Sequence, residues 1–304
     1  MLREALLTLS RNETFQKAAA HSRMLRPAVR RFVAGETLAD GFAAVADLNE
    51  RGLLATMDLL GEATHTEDDA RRAVRSYLEV LNGIFHRGAH SDISLKLSQL
   101  GLDLSSDLAA ELLAAIVQTA EGIGTFVRVD MEDSARLPAT LDVFDRVCAA
   151  GHRSVGIVLQ AYLYRTPQDL EGYVKRGVSI RLCKGAYAEP SQVAYPRKAD
   201  VDAAYRRLSE RLLSAGTQPA LATHDERLIE HARAFSAHHS ITPDRFEFQF
   251  LYGIRRDLQE RLVHEGHRVR VYVPFGTHWY PYFMRRLAER PANVIFLARN
   301  LLRP

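Results

Sequence analysis

From Leu53 onward, short runs rich in β-branched residues alternate with helical stretches, and the pair recurs eight times. The expected strands are 54–60, 93–97, 126–130, 155–160, 178–183, 220–223, 246–251 and 269–273. Between them lie helical patterns with recognisable starts. Thr66 followed by Asp69 reads as a capping box for a helix to about Phe85, and Ser105 or Ser106 opens another through Thr119. Ser134 is the expected cap of a helix to Ala149, and Thr166-Pro167 pairs an N-cap with a proline at the first helical position. Helical stretches at 200–213, 225–236 and 254–265 complete the set, and a last one begins near His278. Strand, helix, strand at about 25 to 35 residues per unit predicts parallel pairing, and eight such units close into a (β/α)8 barrel, the TIM barrel. An open doubly wound sheet is the competing architecture. It lacks its Gly-x-Gly-x-x-Gly turn here, since Gly122-Ile-Gly124 has no third glycine and precedes a strand.

The first 50 residues contain no strand pattern. Asn12 caps a segment from Phe15 to Met24, Pro27 opens a second helix, and a third runs from Thr37 to Glu50. The expected organisation is therefore a helical segment, 1–50, leading into a barrel over 51–304. At 304 residues, 47% hydrophobic and 25% charged, the chain can bury a full core. A net charge of +3, evenly spread, argues against a nucleic-acid partner. Cys148 and Cys183 form no disulfide or metal pattern, and the histidines at 224, 231, 238 and 239 lack zinc-site spacing, so no metal is expected. With no long apolar run and no signal-peptide core, the expected location is cytoplasmic.

In a (β/α)8 barrel the functional face lies at the carboxyl ends of the strands. Read in order, those ends carry Glu62, Lys96, Asp130, Gln160, Arg181 with Lys184, Thr223 with His224, Gln249 and Tyr272. Parity places several inside. Lys96 opposes Leu95 and Leu97, Arg128 and Asp130 oppose Val127 and Val129, and Arg181 opposes Ile180 and Leu182. On the last helix Tyr282, Arg285, Arg286 and Glu289 share one face, so two adjacent guanidiniums form a fork for a small carboxylate. Cations outnumber acids in this set, which predicts an anionic ligand. A Schiff-base lyase using Lys96 or Lys184, or a non-catalytic amino-acid-binding barrel, remains an alternative at this point.

The motifs M-D-L-L-G-E (57–62), S-L-K-L-S (94–98), R-V-D-M-E (128–132), L-Q-A-Y (159–162), R-L-C-K-G-A-Y (181–187), A-T-H-D (222–225), F-Q-F-L-Y-G (248–253) and Y-x-x-R-R-x-x-E (282–289) together resemble the proline dehydrogenase family. The resemblance spans about 54–300. It implies a distorted (β/α)8 barrel with the last helix placed over the strand ends, noncovalent FAD, and oxidation of L-proline to Δ1-pyrroline-5-carboxylate. Electrons would pass to a quinone by a peripheral membrane contact. By the same resemblance Arg285, Arg286 and Lys96 meet the substrate carboxylate, while Tyr272, Tyr282, Tyr187 and Leu251 wall its ring. Asp130 and Arg181 match catalytically important positions. Met131, Gln160, Arg181, Lys184, Gly185, Ala186, Thr223 and His224 match FAD contacts, and Glu62 and Glu289 match residues that hold the active-site charges. Asp225 departs from the Asn of many relatives. The chain length implies the monofunctional form, whose product passes to a separate pyrroline-5-carboxylate dehydrogenase.

Overall fold

The computed structural model describes residues 29–289. The expectations for Asn12, Phe15–Met24 and Pro27 lie outside them. Eight parallel strands form one closed barrel in sequence order: β1 Leu54–Leu59, β2 Ser91–Leu95, β3 Val127–Val129, β4 Val155–Gln160, β5 Ser179–Cys183, β6 Thr217–Ala222, β7 Glu247–Leu251 and β8 Arg268–Phe275. Pairing of β8 with β1, from Leu54 with Arg270 to Leu59 with Phe275, closes the ring. Among the described residues nine helices surround it: α1 Leu38–Glu50, α2 Glu67–Arg87, α3 Ser106–Gly122, α4 Leu137–Ala149, α5 Thr166–Lys175, α6 Lys198–Ala215, α7 Glu226–His238, α8 Arg256–His264 and α9 Trp279–Glu289. No described helix is long and apolar enough to cross a membrane.

The alternation read from the sequence is the architecture, with local corrections. Ser134 does not cap α4, which starts at Leu137; its amide and hydroxyl instead donate to Glu189 on the loop after β5. Thr166 lies within α5 rather than ahead of it, and its hydroxyl donates to the Gln160 carbonyl at 2.6 Å, tying the helix to the end of β4. The last strand, expected over 269–273, runs on through Pro274 to Phe275 before the chain turns at Gly276 (φ 123°). Between β5 and β6 the register shifts at Ser179/Arg181, beside Pro219 and Gln218, whose φ is 44°. That irregularity is the distortion in the barrel.

Outward-facing strand residues such as Met57, Ile93, Val129, Ile157, Leu182 and Phe248 are fully covered by the helices, as the parity predicts. Here α1 buries Phe42, Val45 and Leu48 in the same core. The barrel interior is unusual. Such interiors are commonly filled with branched aliphatic side chains, but this one holds acids and bases. At the amino-terminal floor Arg270 bridges Glu247 (2.8 Å) and Asp92 (3.2 Å). Arg128 also lies at this level, a correction to its expected place in the mouth. Its guanidinium donates to the Ser179 carbonyl at 2.8 Å and to the Ser179 hydroxyl at 3.1 Å, and sits 4.9 Å from the Phe126 ring centroid.

Arg128 can cross beneath β4 only because Gly156 presents no side chain there. A Cβ at Gly156 would lie 2.4 Å from Arg128 Nη1 and 2.6 Å from the Ser179 carbonyl oxygen. Gly156→Ala is therefore expected to destabilise the fold by about 1–3 kcal/mol through overpacking. The urea midpoint measures it, and an unchanged midpoint would show that the floor can yield.

Candidate active site

At the carboxyl end of the barrel the side chains converge on Asp130. Parity along β3 turns this residue inward just past Val129, and three donors meet it. Ser94 of β2 donates to Oδ1 at 2.7 Å, Arg181 of β5 donates to Oδ1 at 2.9 Å, and the Tyr272 hydroxyl of β8 donates to Oδ2 at 2.7 Å. Arg181 also reaches the Ser94 hydroxyl at 3.0 Å, and its guanidinium lies 5.5 Å from the Tyr272 ring centroid. Strands that are not neighbours in the barrel are thus joined through one carboxylate.

Lys96 follows the last residue of β2 and begins a short 3-10 turn, Leu97–Leu100, rather than lying within the strand. Its ammonium is 3.2 Å from Asp58, 3.5 Å from the Tyr272 hydroxyl and 3.7 Å from Asp130. Burial works against charge on Lys96, but the Asp58 and Asp130 carboxylates outweigh it and hold the group above the ordinary lysine range. Burial likewise raises the Tyr272 hydroxyl far above the usual tyrosine value, reinforced by Asp130 and Asp58, so it remains a donor. Asp58 and Ser94 were absent from the residues singled out by sequence. The same parity that found Lys96 would have found them, since Thr56 and Asp58 alternate with Ala55, Met57 and Leu59.

Asp58 changes the charge balance. Lys96 and Arg181 are matched by Asp58 and Asp130, and Lys184 is held by Asp202 (2.6 Å) and Asp225 (3.0 Å). The ion-paired part of the mouth is close to neutral, which corrects the cationic surplus expected among the strand ends. The further positive charge arrives on α9. That helix is seated by a second apolar cluster in which Trp279, Phe283 and Leu287 pack with Phe32, Val33 and Leu60. Leu251 and Tyr272 pack against the same cluster. Arg286 is 8% exposed and stacks 5.0 Å from the Tyr282 ring centroid, and Tyr282 is itself buried. Arg285 is half-buried, and its charge is felt by Lys96 and Tyr187. Glu62 is exposed and has no ion pair among the described residues. The Glu289 side chain lies outside them.

The remaining predicted positions form an arc over β3 to β7. Met131 and Gln160 are buried, and Gln160 donates to the Glu132 carbonyl at 3.0 Å. Gly185 (φ 109°) lies flat on Tyr162, where a Cβ would come within 2.4 Å of the ring. Ala186 is exposed beside it. Thr223 accepts from the Asp225 amide at 3.2 Å, and His224 Nε2 accepts from the Leu251 amide at 2.9 Å, tying the ends of β6 and β7 together. Gln249, by contrast, sits lower in the barrel, donating to Glu247 at 2.5 Å. Several buried polar atoms along the arc have no hydrogen-bond partner: Gln160 Oε1, Tyr162 OH, and Arg181 Nε and Nη2. Native interiors leave few such groups, and these suit a flat, polar ligand laid across the ends of β4 and β5.

A proline dehydrogenase family model matches residues 42–299. The chain belongs to the proline dehydrogenase family. It is 41% identical to Proline dehydrogenase 1 of Bacillus subtilis (strain 168) over 304 residues, the whole of both chains. It is 40% identical to the Proline dehydrogenase of Deinococcus radiodurans, covering 100% of this chain and 98% of the other. Among solved structures, proline utilization A (PutA) from Bdellovibrio bacteriovorus, inactivated by N-propargylglycine, superposes with a TM-score of 0.81 at 26% identity. That match covers 87% of this chain and 33% of the PutA chain.

Tyr272→Phe keeps the ring over Arg181 but deletes the donor to Asp130 Oδ2. It is expected to lower stability by about 1–3 kcal/mol, the effect of leaving a buried acceptor short of a partner. Chemical denaturation tests this. A neutral result would mean that Ser94, Arg181 and Lys96 satisfy the carboxylate without the phenol.

Proposed function

We propose that the chain is a monofunctional, FAD-dependent enzyme that oxidises L-proline to Δ1-pyrroline-5-carboxylate and passes the electrons to a quinone. The observation that carries this reading is the adjacent pair Arg285 and Arg286, borne on a helix that packs on Leu60, Leu251 and Tyr272 at the strand ends beside Lys96 and Arg181. Full-length likeness to relatives named proline dehydrogenase supports it.

FAD, when bound, supplies the acceptor for the hydride that leaves C5 of proline. Met131, Gln160, Arg181, the run Lys184 to Ala186, Thr223 and His224 would hold it. Arg181 brings donors that favour negative charge on a bound electron acceptor. Asp130 fixes the angle of that guanidinium through its 2.9 Å bond, and Tyr272 and Ser94 fix Asp130. Arg285, Arg286 and Lys96 bind the substrate carboxylate, while Tyr187, Leu251, Tyr272 and Tyr282 confine the ring, so positioning carries most of the rate. Glu62 and Glu289 are assigned to steadying the active-site charges by the family resemblance alone, Glu62 making no ion pair among the described residues. The amine must be neutral when hydride leaves, because an iminium cannot form on nitrogen that already carries an extra proton. Lys96, held as an ammonium, is not the group that takes that proton. We assign the catalytic barrel to 51–304 and the preceding helical segment to 1–50. The protein works in the cytoplasm, peripheral to a quinone-bearing membrane, and its product goes to a separate pyrroline-5-carboxylate dehydrogenase.

The lyase reading is disfavoured by the same ion pairs. A Schiff-base lysine needs a lowered pKa, whereas Asp58 and Asp130 raise that of Lys96; the Lys184 ammonium is ion-paired with Asp202 and Asp225. Purified protein is expected to carry an oxidised-flavin absorption band that anaerobic L-proline bleaches. A colourless protein, or a band indifferent to proline, would overturn the assignment. Arg286→Lys is expected to raise the KM for proline roughly tenfold to a hundredfold with FAD retained, since lysine cannot make the two-pronged contact. Because Lys96 is raised above the lysine value of 10.5, its charge is complete below that value and is lost only as the pH climbs through the raised one. Affinity for a non-oxidisable cyclic carboxylate should accordingly show no Lys96 inflection between about pH 7 and 9. A competitive titration checks it.

A further inference from the structure

Asp58 is 0% exposed and lies against Lys96. Its Oδ1 receives the Lys96 ammonium at 3.2 Å; among the described residues its Oδ2 has no well-formed hydrogen bond, the nearby Tyr272 hydroxyl favouring its charge while donating to Asp130. A buried carboxylate with half its acceptor capacity unused is hard to explain as a stability element, because desolvation opposes the charge. Among the described residues its one ion pair is with Lys96. The other carboxylate near Lys96, Asp130, is already occupied by Ser94, Arg181 and Tyr272 and stands farther off at 3.7 Å. Lysine is a point charge on a flexible four-carbon stem, so its place in a site depends on what anchors it. Asp58 is the available anchor.

We infer that Asp58 is a positioning residue for recognition of the substrate carboxylate, acting through Lys96 by fixing where its ammonium stands and keeping it charged. This rests on the substrate assignment above; Asp58 lies in the M-D-L-L-G-E motif but carries none of the roles that the resemblance implies. The groups facing Lys96 are Asp58 from β1, Asp130 and Glu132 from the end of β3, Tyr187 from the loop after β5, Tyr272 from β8 and Arg285 from α9. Burial and Arg285 both oppose its charge, and Asp58 is the largest influence in its favour. Without Asp58 the ammonium would turn to Asp130 and compete with Arg181 for it, or lose its proton at a lower pH.

The test is a double-mutant cycle in the full chain, combining Asp58→Asn and Lys96→Met and read as affinity for tetrahydrofuran-2-carboxylate, proline kinetics and melting temperature. Asp58→Asn should weaken analogue binding about tenfold, with a matching rise in KM and a small change in kcat. It should also bring the alkaline fall in affinity to lower pH. In the Lys96→Met background the same change should have little further effect on binding. There it should raise the melting temperature, because a buried carboxylate that has lost its cation is removed. Equal binding losses in both backgrounds, or unaltered affinity in Asp58→Asn, would overturn the inference. Should Asp58→Asn alone fail to fold, the melting comparison in the Lys96→Met background decides: no gain there sinks the pairing. If the wild-type chain ignores both proline and the analogue, the substrate assignment has failed, and the melting temperatures still report on the pair.

Discussion

The structure depends on one carboxylate being held from three sides. Asp130 accepts from Ser94 on β2, Arg181 on β5 and Tyr272 on β8, and stands near Lys96. Each donor comes from a different part of the ring, so the geometry of the mouth is set by the closure of the barrel as a whole. An ionised carboxylate is a strong acceptor at low local dielectric, and each donor's direction is constrained by the others. The arrangement ties the end of β3 to its neighbour β2 and also to β5 and β8, with which it does not pair.

The same principle runs down the barrel. At the floor Arg270 lies between Glu247 and Asp92, while Arg128 is caged by Ser179 and Phe126 under the gap left by Gly156. Replacing an apolar interior with ion pairs adds little or nothing to stability once desolvation is counted. What it supplies at the mouth is a set of charges paired with one another, with Arg181 Nε and Nη2 still short of partners among the described residues. Removing α9 would uncover Leu60, Leu251 and Tyr272 together, since one small apolar cluster joins that helix to the strand ends.

Much of this was legible in the chain before folding was considered. Period-two alternation in S-L-K-L-S and F-V-R-V-D placed Lys96 and Asp130 inside, because helices outside require apolar partners. Depth was not legible. Parity says that Arg128 and Asp130 both face inward, but the stagger between strands decides that one reaches the floor and the other the mouth. Ser134 was misread as a cap because an N-cap and a loop tether use the same hydroxyl chemistry, and only the position of Glu189 distinguishes them. Asp225 read as a departure of unknown effect. In three dimensions it closes on Lys184 and also caps α7.

The amino-acid order by itself determined the eightfold strand–helix repeat, which faces are buried, and the adjacent arginines on the last helix. These follow from local periodicity and steric preference, which act over a few residues. Which charge neutralises which was decided only by the tertiary structure. Asp58 and Lys96 are 38 residues apart in the chain, and Lys96 and Tyr272 are 176 apart. Their meeting depends on ring closure and register, long-range properties that no local pattern encodes.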